Sequence, residues 1–237
     1  MKFLWITILF NASCFALHAQ EIYHQDFEKN TSWNDFHFTN AAQWQIVKEA
    51  DGNFSLAITA PNNYDPPYRS PRSIALLNQY WLNDFVLEVD LKQNGVPHDC
   101  QGETCIMCQH RDMCIFWNIQ DSSHFYYAHI AAHTDDVSHQ IHIVNNAARA
   151  PVTSYRNSGI DWGDDEWQHI KVVHSASRGE TRIYFNDMEQ PVLVSKDKTF
   201  SGGYIGFGSF DEMGQVDNMR LISKDYQFKA ASLFENE

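Results

Sequence analysis

The stretch Phe85-Val86-Leu87-Glu88-Val89-Asp90-Leu91-Lys92 decides the fold class, because apolar and polar side chains alternate along it. Every second residue from Phe85 to Leu91 is apolar, whereas Glu88, Asp90 and Lys92 take the opposite side. A period of two is that of a β-strand with one buried face. This stretch therefore predicts a strand that covers one side of an apolar core.

The same alternation recurs along most of the chain, and turn signals such as Asp51-Gly52, Asn94-Gly95 and Arg178-Gly179 separate the runs. Further strands are predicted at 44–47, 55–59, 113–120, 124–131, 139–145, 168–174, 181–185, 204–210 and 216–222. One short helix is predicted near Phe228 to Phe234. Ten short strands in about 200 residues indicate a β-sandwich or a barrel.

The N-terminus has the composition of a secretory signal peptide. Lys2 precedes an apolar run from Phe3 to Leu17, and Ala19 supplies a small residue for cleavage. No later stretch is apolar for long enough to span a membrane. We therefore expect a signal peptide at 1–19, a single domain at 20–237, and a secreted or periplasmic protein.

The charge of the chain argues against nucleic acid as a partner. Seventeen Lys and Arg stand against thirty Asp and Glu, for a formal net charge of −13, and phosphate binding depends on basic residues. From Val137 to Ile160, however, there is no Asp or Glu, while Arg149 and Arg156 are present. An anionic ligand could be received there, although an accidental gap in the acidic pattern explains the segment equally well.

Strand alternation also sorts the polar side chains of three predicted strands, because residues opposite the apolar set share the other face. That face carries amides, imidazoles and a phenol. Its predicted members are Asn118, Gln120, Tyr127, His129, Gln140 and His142.

These residue types suit the removal of a proton next to a carboxylate. In β-elimination from a uronic acid, amide or cationic groups neutralise the carboxylate, and a histidine or tyrosine exchanges protons with the substrate. The predicted catalytic residues are His129, His142 and Tyr127. The predicted substrate-binding residues are Asn118, Gln120, Gln140, Arg111, Arg149 and Asn145.

The second half of the chain resembles the concanavalin A-like jelly rolls. The resemblance rests on Trp167–Val173, Arg182–Met188, Gly203–Gly208 and Val216–Leu221, with Asp26-Phe27-Glu28 as an opening strand. This group includes laminin-G-like modules, bacterial glucanases, polysaccharide lyases and 3-keto-disaccharide hydrolase domains. It implies a β-sandwich of two antiparallel sheets with a concave groove.

A finer resemblance concerns activity. Gln140-Ile141-His142 is similar to the Gln-Ile-His motif of jelly-roll alginate lyases, in which Gln and His hold the substrate and assist catalysis, but the Arg-Thr-Glu or Arg-Ser-Glu strand and the terminal tyrosine strand of that family are missing. The chain also resembles the ulvan oligosaccharide dehydratases. These resemblances imply a carbon-oxygen lyase or dehydratase that acts on ulvan- or alginate-like uronic-acid saccharides and requires no cofactor.

Two other functions remain open. In a non-catalytic carbohydrate-binding module, Trp117, Tyr126, Tyr127 or Trp162 would stack on sugar rings. A glycoside hydrolase of the keto-sugar type is the other alternative. Glu88 and Asp90 resemble the first two carboxylates of the Glu-x-Asp-x-x-Glu glucanase motif, but Gln93 replaces the third, so that mechanism lacks its acid/base.

Cysteines and acidic residues suggest two structural features. Cys100, Cys105, Cys108 and Cys114 lie within fifteen residues beside two histidines, which fits disulfides in an oxidising compartment or a zinc site. The resemblance further implies a structural calcium at Asp26 and Asp217, although Asp217 could equally cap a turn.

Overall fold

The computed structural model describes residues 20–29, 31–94, 111, 113–163, 165–210 and 212–231. Within these residues the chain forms strands and two short 3-10 turns, Ser32–Asp35 and Ala41–Gln43. The strands are β1 (Gln20–Gln25), β2 (Phe36–Phe38), β3 (Trp44–Lys48), β4 (Phe54–Ile58), β5 (Ser73–Leu77), β6 (Tyr80–Leu82), β7 (Phe85–Gln93), β8 (Cys114–Asp121), β9 (His124–His129), β10 (Gln140–Asn145), β11 (Ala150–Pro151), β12 (Thr153–Arg156), β13 (Trp167–Ser175), β14 (Glu180–Phe185), β15 (Leu193–Ser195), β16 (Tyr204–Ser209), β17 (Gly214–Ser223) and β18 (Tyr226–Phe228). The predicted all-β class is confirmed. The predicted signal peptide lies outside the described residues.

Two antiparallel sheets form the body of the molecule. The first sheet has the order β12-β15-β14-β13-β7-β17-β4-β3, and β1 also pairs with β17. The second sheet has the order β11-β10-β9-β8-β16-β5-β2. A small third sheet joins β18 to β6. Among the described residues, no helix is long and apolar enough to cross a bilayer.

The core lies between the first and the second sheet. The apolar residues of β7, from Phe85 to Leu91, are buried there, and they share one apolar cluster with Ile115 and Trp117 of β8. Burial of a side chain of this size contributes roughly 1.5–3 kcal/mol. The alternation that predicts β7 from the sequence is therefore the pattern that holds the two sheets together.

A second apolar cluster lies on the outer face of the second sheet, which is the face turned away from the first sheet. Its members are Ala231 and residues from strands of the second sheet, and they include Phe116, Phe125, Tyr127 and Tyr204. The face that the sequence predicts to carry amides, imidazoles and a phenol thus also carries an apolar layer of aromatic and aliphatic side chains.

Two details of the predicted elements are wrong. The opening strand is Gln20–Gln25 rather than Asp26-Phe27-Glu28, because Phe27 has a φ of 55° and leaves the extended conformation. At the start of the predicted C-terminal helix the described residues instead form the end of β18 at Phe228 and a segment without regular secondary structure to Ala231, whereas residues 232–234 lie outside the described residues. The aromatic residues of β18 pack against Tyr80, and this contact favours the strand.

Candidate functional site

Strands β9 and β10 bring four predicted site residues to one side of the molecule. In their antiparallel register Tyr127 pairs with His142, and His129 pairs with Gln140. Directly paired residues share a face, and so do residues two positions apart. Because Tyr127 belongs to the outer apolar cluster, all four side chains lie on the outer face of the second sheet. This common side is the one that the alternation predicts.

His142 and Tyr127 form a stacked pair. Their ring centroids are 5.0 Å apart and their planes differ by 15°. His142 is 1% exposed, and neither of its ring nitrogens has a hydrogen-bond partner in the described part of the chain. Burial lowers the pKa of His142 to about 3; electrostatic interactions with Arg149 and His129 act in the same direction, and that with Asp135 opposes them. The ring is therefore neutral at pH 7 and a weak proton acceptor.

The loop before β10 covers the second pair. His129 Nδ1 lies 3.3 Å from the Val137 carbonyl, to which it must donate because a carbonyl only accepts. In the neutral ring the lone pair is then on Nε2. Gln140 Nε2 donates to the carbonyls of Asp135 and Asp136 at 3.3 and 3.1 Å. Both N–H groups of Gln140 therefore hold the loop, so they do not point to a substrate carboxylate.

Arg149 connects this face to the surface. Its Nη1 donates to the Tyr127 hydroxyl at 3.2 Å, and its guanidinium lies 4.5 Å from the centroid of the Phe210 ring. The Phe210 ring in turn lies 6.0 Å from the rings of both Tyr127 and His129. Phe210 therefore packs against the phenol and the imidazole, and the Arg149 guanidinium lies over the Phe210 ring.

An open cleft of about 350 Å³ lies beside Phe210. Arg69 and Arg72 line it and are exposed, and the Arg69 carbonyl accepts a hydrogen bond from the Arg149 backbone. Asp65 is the carboxylate in the lining. We refer to Arg69, Arg72, Arg149 and Phe210 as the arginine cleft. Arg69 and Arg72 line the cleft with Asp65, and Arg149 lies over Phe210 at its border, so basic side chains outnumber the carboxylate here in a protein of net charge −13.

Asn118 and Gln120 do not lie on the outer face, contrary to the prediction. The register of β8 against β9 is irregular after Trp117, and Asn118 has a φ of 49°. A bulge of this kind reverses the alternation that follows it. Asn118 Nδ2 donates to the Phe200 carbonyl and Gln120 Nε2 to the Gly202 carbonyl, each at 3.0 Å. Both amides hold the connection between β15 and β16.

Two other predicted substrate-binding residues are also placed away from the arginine cleft. Asn145 is exposed at the end of β10, and it lies on the face opposite His142 because the two are an odd number of positions apart. Arg111 lines a separate cleft of about 180 Å³ together with residues that include Asp161 and Trp162.

The aromatic residues predicted as a sugar platform are buried. Trp117, Tyr126, Tyr127 and Trp162 are each at most 2% exposed. They fill the core or the outer cluster, so the prediction that one of them is a surface platform is wrong. The exposed large apolar side chains of the described residues are instead Val137, Tyr155 and Phe228.

The carboxylates of the glucanase-like motif do not form a catalytic pair. Glu88 accepts from Arg220 at 3.1 Å, and Asp90 accepts from His169 at 2.7 Å, both on the outer face of the first sheet. Gln93 is buried toward the core. Glu88 is therefore engaged in an ion pair and Asp90 in a hydrogen bond at the surface, as the missing third carboxylate suggests.

Asp217 has the hydrogen bonds of a turn cap. It accepts from Asn53 Nδ2 at 2.8 Å and from the Asn218 backbone at 2.7 Å. Burial raises its pKa, and the charges of Asp90 and Asp26 also raise it. The described residues hold no group of three His, Cys, Asp or Glu arranged for a metal ion. A calcium ion at Asp26 and Asp217 stays a prediction.

The cysteine cluster is described only in part. Cys114 is buried in β8. Cys100, Cys105 and Cys108 lie outside the described residues, as do the neighbouring histidines. The choice between disulfides and zinc therefore stays open.

Three members of the arginine cleft escaped the sequence reasoning. Arg69 and Arg72 are close together in an acidic chain, which is a weak signal of a positive patch. In the sequence, Phe210 is the last residue of the strand predicted at 204–210, and nothing marks it as part of a site. Only the fold brings these residues next to Arg149.

Comparisons with known proteins bear on the fold. No protein-family model and no curated protein matches the chain. The carbohydrate-binding module CBM66 from Bacillus subtilis superposes with a TM-score of 0.53 and 18% identity over 80% of this chain and 96% of its own. The GH43 protein BlXynB from Bacillus licheniformis gives 0.55 and 9%, over 86% of this chain and 40% of its own. A Bacillus subtilis protein of unknown function with a galectin-like fold gives 0.52 and 11%, over 90% and 100%.

This chain has a concanavalin A-like β-sandwich fold. At identities of 9–18% the similarity concerns the fold alone. Concanavalin A-like sandwiches carry binding and catalytic functions alike, so the function of this one has to be argued from its own residues.

Proposed function

We propose that this protein is an exported carbohydrate-active protein that binds an acidic oligosaccharide at the arginine cleft and eliminates a carbon–oxygen bond from its uronate unit. One observation carries the proposal: the Arg149 guanidinium lies over the Phe210 ring, which packs against Tyr127 and His129, and Arg69 and Arg72 line the cleft beside Phe210. Two of the similar structures are a carbohydrate-binding module and a GH43 protein, which agrees with a saccharide as the ligand.

The arginines supply what the carboxylate of a uronate requires. A planar guanidinium donates paired hydrogen bonds to a carboxylate and keeps its charge at every relevant pH. Neutralising that carboxylate makes the adjacent C5–H bond more acidic and stabilises the enediolate-like charge of the transition state. Arg149 is the arginine that would do so beside the reacting carbon, because it also contacts Tyr127.

The proton transfers fall to His129 and Tyr127. The C5–H bond breaks, its electron pair forms the C4–C5 double bond, and the C4–O bond breaks. His129 Nε2 takes the proton with its lone pair, and the Tyr127 hydroxyl gives a proton to the departing oxygen. Arg149 donates to that hydroxyl and so makes it a stronger acid. Solvent then carries the proton from His129 back to Tyr127.

His142 takes the supporting role in this proposal. Its pKa of about 3 makes it a poor base for a weakly acidic carbon. Its neutral ring stacks flat on Tyr127 and fixes the phenol in place. Substrate reaches Tyr127 and His129 when Phe210 moves aside, since both rings are at most 3% exposed.

The second candidate function is binding without chemistry, and the burial of Tyr127 and His129 favours it. In that case Phe210 stays in place and the arginines hold the saccharide at the surface. A hydrolase of the keto-sugar type is a further outcome that the products would reveal.

The test is mass spectrometry of acidic algal and plant oligosaccharides after incubation with the protein. Elimination gives shorter unsaturated products or the loss of one water, whereas hydrolysis adds water. Tyr127→Phe should lower turnover by roughly 10²- to 10⁴-fold and leave saccharide affinity near the wild-type value. Tyr204→Phe is the matched control, because Tyr204 is buried on the same face and its hydroxyl donates to the Ala230 carbonyl, which is not part of the arginine cleft.

Full activity of Tyr127→Phe would contradict the assignment of the proton donor. Binding of the oligosaccharide with no change in its mass would establish the binding function instead.

A further inference from the structure

We propose a second saccharide-binding surface on the opposite side of the molecule, centred on Tyr155, that holds a stretch of an acidic polysaccharide. The class of ligand rests on the proposed function, whereas the surface itself is argued from the first sheet. Tyr155 is 52% exposed. It offers the exposed aromatic ring that the buried Trp117, Tyr126 and Trp162 do not offer.

Strand register fixes the side on which Tyr155 lies. Tyr155 pairs with Val194 of β15, and Val194 pairs with Arg182 of β14, so these three form one row across the sheet. The adjacent row contains Leu193 and Ile183, which are fully buried in the core between the sheets. The row of Tyr155 therefore faces outward from the first sheet, whereas the arginine cleft faces outward from the second.

Tyr155 stands in an open cleft of about 480 Å³. Its lining includes Arg182, Lys196, Glu180 and Gln190. The volume falls within the range of about 300–1,000 Å³ that is typical of ligand sites. The cleft is thus large enough for part of a sugar chain and open enough for the chain to continue on both sides.

The chemistry of the lining matches an acidic saccharide. An exposed aromatic ring offers an apolar face for the C–H side of a sugar and a hydroxyl for hydrogen bonding. Arg182 and Lys196 are exposed cations, and Glu180 pairs with Arg182 at 2.9 Å. That ion pair uses one nitrogen of the guanidinium, which leaves donors for a carboxylate or a sulfate of the polymer. The cleft keeps a net positive charge in an acidic protein.

A second site of this kind would keep the protein on the polymer while the arginine cleft engages a chain end. When one site holds the polymer, the effective concentration of the polymer at the other site rises. Neither site then needs high affinity by itself.

The test is electrophoresis of the full chain through native gels that contain alginate, with dextran gels as the neutral reference. The wild-type protein should be retarded by alginate. Tyr155→Ala should weaken that retardation by roughly tenfold in apparent affinity, which corresponds to about 1.4 kcal/mol. Phe228→Ala is the matched control, because Phe228 is 71% exposed and lies outside this cleft.

The outcomes separate the two sites. Turnover or binding of short oligosaccharides by Tyr155→Ala should stay at the wild-type level. Retardation by alginate that is as strong in Tyr155→Ala as in the wild type, or that is absent in the wild type, would overturn the second site, whereas the binding of short oligosaccharides tests the arginine cleft separately. The Tyr155→Ala variant could lose retardation while substitution of the arginines of the arginine cleft leaves the binding of short oligosaccharides unchanged. That combination would support the second site and refute the first.

Discussion

Burial sets the charge of three histidines. It lowers the pKa of His142 to about 3, and those of His139 and His174 to about 4. The Asn157 side chain bonds His139, and Thr181 bonds His174, so both rings serve as neutral hydrogen-bonding groups within the structure. His142 differs because its nitrogens have no such partner among the described residues. Its neutrality follows from the aromatic surroundings and from Arg149.

Stability should therefore fall in mild acid. In the unfolded chain the pKa of a histidine is about 6.5. Below that pH the unfolded state therefore binds protons at these three positions, whereas the folded state does not. The free energy of unfolding is then lost as the pH falls from 6.5 toward the folded values of 3 to 4, at roughly 2 kcal/mol per histidine by pH 5. Urea unfolding at pH 7 and at pH 5 measures this loss.

His142→Gln should remove about a third of the histidine-dependent loss, because one of three equivalent titrations disappears. The exposed His133→Gln is the control and should leave the loss unchanged. Equal stability of the wild-type protein at pH 7 and pH 5 would show that these rings are not held neutral.

At the scale of single elements, the sequence predicts side-chain placement only where strand register is regular. β9 and β10 pair without interruption, and their four polar residues share the side that alternation predicts. β8 contains a bulge, and Asn118 and Gln120 turn inward. A bulge depends on the φ of one residue and on its tertiary contacts, and neither is visible in a period-two pattern.

The left-handed conformation of Asn118 can be tested with two substitutions. Asn118→Ala and Asn118→Gly both remove the hydrogen bonds of the side chain to His174 and to the Phe200 carbonyl. Only glycine relieves the positive φ. Thermal or urea unfolding should therefore find both variants less stable than the wild type, with the glycine variant more stable than the alanine variant by about 1 kcal/mol. The reverse order would mean that the bulge is not strained.

On the scale of the whole molecule, the candidate site joins segments that are far apart in sequence. Arg69 and Arg72 precede β5, Arg149 follows β10, and Phe210 follows β16. The neutral-to-basic segment that contains Arg149 is visible in the sequence, and its position beside other arginines is not. Fold class could be predicted because alternation is a local property, whereas the cleft depends on which loops meet after the sheets have formed.

The molecule also shows why a net charge says little about a ligand. Thirty acidic residues repel an anionic polymer at long range. At the arginine cleft and at the Tyr155 cleft the local balance is positive. Salt screens electrostatic interactions with charges more than about 8–10 Å away at physiological ionic strength. The charges close to each cleft therefore decide whether an anionic polymer binds in it.

The arginine cleft should select a carboxylate-bearing saccharide over a neutral one. Calorimetric titration of the wild-type protein with a uronate oligosaccharide, and with the same oligosaccharide after reduction of its carboxyl groups to alcohols, tests it most directly. The reduced ligand should bind at least about tenfold more weakly, because charge-assisted hydrogen bonds to guanidinium are lost. Equal affinity for the acidic and the reduced ligand would contradict it.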